Sequence, residues 1–93
     1  MVSALHDRDA FSRLTRALVG GWAASSGTRV SYRLVSNGTA LVETWTAASG
    51  AETLTVYHPD HDDVLLTHYC AQGNQARLWL VSSSGARFRF DAR

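Results

Sequence analysis

A single cysteine, Cys70, leaves no partner for an internal disulfide, so the chain must draw its stability from packing or from a partner subunit. No apolar run approaches the roughly 20 residues that span a bilayer, and residues 1–16 are too charged for a signal peptide, so the expected compartment is the cytoplasm. A dominant charge is also lacking. Nine basic and eight acidic residues are interleaved and leave a formal net charge of +1, too weak a field to argue for nucleic acid or an anionic membrane as partner. No repeat, linker or low-complexity tract divides the 93 residues, which predicts one domain, 1–93, burying about 60 to 65 % of its unfolded surface.

What is present is one helical segment followed by a series of short strands. Ala10, Phe11, Leu14, Ala17 and Leu18 recur at spacings of three and four, which predicts a helix over about 7–19 with Asp7 or Asp9 as its cap and Gly20-Gly21 as its stop. Strands are expected over Thr28–Val35, Thr39–Thr46, Glu52–His58, Asp63–Cys70, Arg77–Val81 and Ala86–Asp91, within about 28–91. Short turn-rich connections join them, too short for parallel crossovers, so the fold class is mainly β: an antiparallel meander of six to seven strands with an N-terminal α-helix.

Hairpin registers assign the faces of that meander. Asn37-Gly38 supplies the positive φ angles of a type I′ turn and pairs Leu34 with Leu41, Tyr32 with Glu43 and Val30 with Trp45. Passing the face along adds Thr53, Thr55 and Tyr57, then Val64, Leu66, His68 and Cys70. Closing the next loop between Cys70 and Arg77 adds Arg77, Trp79 and Val81, and the serine turn adds Ala86, Phe88 and Phe90. The opposite face holds Arg29, Arg33, Glu52, Arg87 and Arg89, as a solvated surface should.

The inner face is therefore aromatic with a polar minority, which is the chemistry of a small-molecule pocket: apolar contact for affinity and a few hydrogen bonds for orientation. The expected ligand-binding residues are Tyr32, Glu43, Trp45, Thr55, Tyr57, His68, Arg77 and Trp79. Glu43 is the most informative, because an inward carboxylate must be paired, hydrogen-bonded or protonated, and Tyr32, Thr55, His68 and Arg77 are its candidate partners. It could be structural, ligand-orienting or a general acid or base. His68 and Cys70 share a face at a spacing long for direct proton transfer, and Cys70 is better read as a small buried hydrophobe. His58, Asp60, His61, Asp62 and Asp63 crowd one hairpin tip at a spacing that matches no closed metal site, so a solvated turn is expected and no metal. No catalytic residue is assigned.

Gly20-Gly21-Trp22 ahead of the first full strand resembles the Gly-x-Trp signature of lipocalins and other calycins. The segments VSYRLVSNGTALVET, LTVYHPD and LLTHYCAQGNQAR resemble an uncharacterised family of bacterial lipocalin-like proteins, over roughly Leu18 to Leu78. The family usually has glycine at the position of His61 and proline at that of Ala76. The resemblance implies a barrel that binds a small hydrophobic molecule, and its nitrobindin-like branch would make His68 an axial haem ligand, although no second feature of the sequence demands iron. Such barrels use about eight to ten strands. Six would leave an incomplete barrel with two open edges, and strand Asp63–Cys70 is apolar on both faces, so a homodimer is expected to cover what one copy leaves exposed. The function expected is binding of an apolar or aromatic small molecule; the alternatives are a cyclase or isomerase using the same cavity and a structural or assembly protein with a filled core.

Overall fold

The computed structural model describes residues 9–85 and 87–93. A helix α1 (Ala10–Leu18) is followed by seven strands: β1 (Gly20–Ala23), β2 (Arg29–Val35), β3 (Ala40–Thr46), β4 (Glu52–Asp60), β5 (Asp63–Tyr69), β6 (Gln75–Ser84) and β7 (Arg87–Asp91). They form one antiparallel sheet in sequential order, curled into a half-barrel. The strand not expected from sequence is β1, whose four residues pair Gly20 with Tyr32 and Trp22 with Val30.

Nine residues are too few for a helix to persist alone in water, so α1 exists because it docks. Ala10, Phe11 and Leu14 are buried inside the curl against Leu41, Tyr57, Val64, Leu66 and Leu80. Burying Phe11 and Leu14 contributes about 1.5 to 3 kcal/mol each. Arg13 Nη2 donates to Ser83 Oγ at 2.5 Å and ties the exposed flank of the helix to β6. Asp9 occupies the N-cap position without a side-chain capping bond; the alternative cap, Asp7, lies outside the described residues, as does Ala86. The last turn closes with Val19 N–H on Thr15 O at 2.9 Å, and Gly20 then takes φ +132°, a conformation that turns the chain into β1 and that a side chain would resist.

The β2–β3 hairpin has the expected register. Its turn is longer than the two residues expected: Ser36, Asn37 and Gly38 take φ 54°, 57° and 83°, and Val35 O accepts from Gly38 N–H at 3.1 Å and Thr39 N–H at 3.2 Å, inside the pair of Val35 with Ala40. The β3–β4 register also matches expectation, with Glu43 opposite Thr55, and β5 presents the expected face, with Tyr57 opposite Leu66 and Thr55 opposite His68. His61, where the resembled family has glycine, adopts φ 58° at the β4–β5 turn, a left-handed position that glycine fills at less cost.

The register beyond β5 corrects the expectation. The β5–β6 loop closes at Cys70 and Asn74, with Cys70 N–H on Asn74 O and Gly73 N–H on Cys70 O, so β6 begins at Gln75. This is an odd number of residues away from the closure expected at Cys70 and Arg77, and every β6 side chain changes face. Ala76, Leu78 and Leu80 follow His68 and Leu66 onto the inner face, and Arg77, Trp79 and Val81 go to the outer one. A bulge between Leu80 and Ser82 then inserts one extra residue, Val81, and inverts the alternation again. Phe88 and Phe90 therefore do face inward and pack on the core, because the two shifts cancel.

On the outer face Leu65 is 4 % exposed although no described helix or strand is layered over the sheet there. Its cover is local. Trp79 is its register partner, the Arg93 guanidinium lies 4.8 Å from the Trp79 ring centroid, and Arg93 Nη2 holds Asp63 Oδ2 at 3.1 Å. Arg29, Arg33, Glu52, Arg87 and Arg89 are exposed as expected.

Candidate functional site

Three transverse rows of side chains line the inside of the curl. The first runs Leu34, Leu41, Tyr57, Leu66, Leu78 and is mostly covered by α1. The second runs Tyr32, Glu43, Thr55, His68, Ala76 and is polar. The third, Trp22, Val30, Trp45 and Thr53, lies at the end that α1 does not reach.

Glu43 is 7 % exposed and its two oxygens are both used. Tyr32 Oη donates to Oε2 in a short hydrogen bond, and Tyr57 Oη donates to Oε1 at 3.3 Å. Burial, the hydrogen bond to Glu43 and its negative charge push the Tyr32 phenol well above its usual range. Burial and the Glu43 charge do the same for Tyr57. Both phenols thus keep their protons at neutral pH and remain donors. Among the described residues two neutral donors satisfy the carboxylate. Thr55 Oγ1 and His68 Nδ1 form the neighbouring couple at 2.7 Å, the donor being whichever of the two carries the proton. Tyr57 also meets Phe90 edge to face, with centroids 5.7 Å apart, which fixes the ring that holds Glu43.

Of the expected site residues, Tyr32, Glu43, Trp45, Thr55, Tyr57 and His68 share this inner face. Arg77 and Trp79 do not. Arg77 is exposed on the outer surface and cannot reach Glu43, and Trp79 is engaged by Arg93. Tyr57 is a partner of Glu43 that the sequence argument had not included, although both sat on the assigned face.

Between the C-terminal turn of α1 and strands β1 to β3 an apolar groove of about 220 Å³ opens, lined by Leu18, Trp22, Val30, Tyr32 and Trp45. Trp22 and Trp45 are 57 % and 45 % exposed, large rings left at a mouth rather than in a core. Trp22 Nε1 donates to Leu18 O at 3.4 Å, so the indole is oriented by the end of the helix. A larger depression of about 630 Å³ beside Ser82, Ser84, Arg87, Phe88 and Arg89 is predominantly polar in its residues and lies by the β6–β7 hairpin, away from the polar row. Sequence reasoning missed the groove because it needs β1. The signal was there in the alternation of Gly20 and Trp22 across Gly21, which sets Trp22 on the face of Val30.

The groove is far smaller than a porphyrin and His68 is not among its walls, so these residues do not fit haem. Among the described residues no three His, Cys, Asp or Glu side chains gather to hold a metal; His58 and His61 instead bond locally, to Pro59 O and Asp60 Oδ1. No helix among them is long and apolar enough to cross a membrane. No protein-family model, curated protein or solved structure matches the chain.

Proposed function

We infer that this protein binds a small aromatic or apolar molecule in the groove between α1 and β1–β3, in the manner of a lipocalin-like half-barrel. The observation that carries this reading is the placement of Trp22 and Trp45, half exposed, on either side of an apolar opening whose inner edge is the hydrogen-bonded Tyr32. A cavity of roughly 150 Å³ accepts benzene, and drug-sized pockets begin near 300 Å³, so about 220 Å³ suits one ring with a small substituent. The competing cyclase or isomerase would require Glu43 or His68 to move a proton. Both carboxylate oxygens already accept from phenols, and Thr55 stands between the two groups on the intervening strand. A purely structural role accounts for the helix-covered end, where Phe11 and Leu14 fill the interior, and leaves the two tryptophans without a purpose.

Titration with toluene, followed by the indole N–H resonances in NMR, tests the reading. Trp22 and Trp45 should shift with saturation and Trp79 should not; Arg77→Ala should leave the response unchanged. Toluene that moves none of the three, or all three alike, would remove the groove as a binding site.

A homodimer remains the proposal for the exposed surface elsewhere. Among the described residues β1 and β7 end the sheet, and Leu54, Val56 and the exposed Tyr69 carry apolar side chains on the outer face. Sedimentation equilibrium at micromolar concentration should return twice the monomer mass, and a stable monomer would retire the proposal.

A further inference from the structure

We propose that the groove selects a cation, specifically a protonated or quaternary ammonium carrying one small aromatic or alkyl group; this deepens the ligand-binding reading and rests on it. Three features of one small opening converge on that charge. Trp22, Tyr32 and Trp45 line it, and an aromatic ring attracts an ammonium over its face through its quadrupole. Behind Tyr32 lies the Glu43 carboxylate, nearly excluded from water and held only by the neutral hydroxyls of Tyr32 and Tyr57 among the described residues. Neutral donors bond a carboxylate without bringing an opposite charge to it, and poor solvation lets a buried charge act over a longer distance than it would in water. The third feature is the C-terminal end of α1, whose Leu18 carbonyl faces Trp22 Nε1 and carries the negative end of the helix dipole.

Among the described residues the lining carries no cation, and the nearest one along the helix is Arg16 in the last turn of α1. Arg29 and Arg33 alternate to the outer face of β2, Arg77 is on the outer face of β6, and Arg16 borders a different depression, with Phe11, Leu34 and Gly38. A positive guest therefore meets attraction from three directions and no like charge among the described lining residues. An anionic guest of the same shape meets the opposite. A neutral guest gains only the apolar contact.

The test compares phenyltrimethylammonium with its uncharged isostere tert-butylbenzene, by NMR titration of the Trp22 and Trp45 indole N–H signals of the intact chain. The ammonium should bind at least about tenfold more tightly, and its affinity alone should fall as salt is raised. In Glu43→Gln the gap should shrink severalfold while tert-butylbenzene binding holds; in Trp45→Ala both ligands should weaken. Equal affinities in the wild type, or no salt dependence, would overturn the cation preference and leave the apolar site standing. A gap that survives Glu43→Gln would show that the carboxylate is not its source. Binding of neither molecule would overturn both this inference and the site itself. The salt series uses the wild-type chain, so it decides the matter even if Glu43→Gln fails to fold.

Discussion

The two ends of the curled sheet are built from the same strands and differ in what lies on them. At one end α1 fills the concavity, and Leu41, Leu80 and Leu14 are almost wholly withdrawn from water. At the other, four residues farther along β3 on the same face, Trp45 keeps nearly half its surface. Between them runs the row of Tyr32, Glu43, Thr55 and His68, in which each polar group bonds to a neighbour. The contrast separates stability from recognition along a single strand: Leu41 belongs to the core, Glu43 to the boundary and Trp45 to the mouth.

The largest expected effect breaks the closed end. Leu41→Ala removes a buried side chain from beneath the helix and should cost about 2 to 5 kcal/mol in a denaturant titration, because the neighbouring strands can collapse only partly into the space. If Trp45→Ala costs as much, the distinction between the two ends fails. At the boundary, Glu43→Gln should cost about 1 to 3 kcal/mol, since one phenol must turn its hydrogen bond around or lose it.

Alkaline pH sharpens the same boundary. Unfolded tyrosine loses its proton near 10.0, whereas Tyr32 and Tyr57 hold theirs to higher pH in the folded chain. The unfolded state therefore sheds protons first, so the stability these two groups supply is complete below about pH 10 and is lost as pH rises through their folded values. Denaturation midpoints should be flat in this contribution up to that point and then decline. Tyr32→Phe combined with Tyr57→Phe should flatten the decline; an unchanged slope would assign it to other groups.

At the open end, Trp45→Ala should lower stability by less than half the Leu41→Ala cost while removing the toluene response. The smallest effect belongs to the outer surface. Arg93→Ala breaks a solvent-accessible pair with Asp63 and a ring contact with Trp79, and about 1 kcal/mol or less is expected from thermal melts.

Local pattern was enough to determine the helix, the meander, the registers from β2 to β4 and the inner face of β5. Alternation in Arg29–Val35 and the left-handed pair Asn37-Gly38 leave one workable pairing, and each short hairpin passes its face to the next. That placed Tyr32, Glu43 and Thr55 in one row and His68 on the same face. Two things lay beyond local pattern. Both Arg77 and Trp79 are compatible with either face of a strand, and their side is decided by whether Gly73 closes the loop at Asn74; Val81 bulges because Leu80 and Phe90 must both reach a core assembled from distant residues. The docking position of α1 is likewise a matter of shape, since its apolar stripe could lie against either end of the concavity. Sequence thus determined which side chains share a face from β2 to β5. Only the tertiary structure decided which of them the helix would bury and which, Trp22 and Trp45 above all, it would leave at an open groove, because that depends on where a short amphipathic helix finds a complementary surface in the curled sheet.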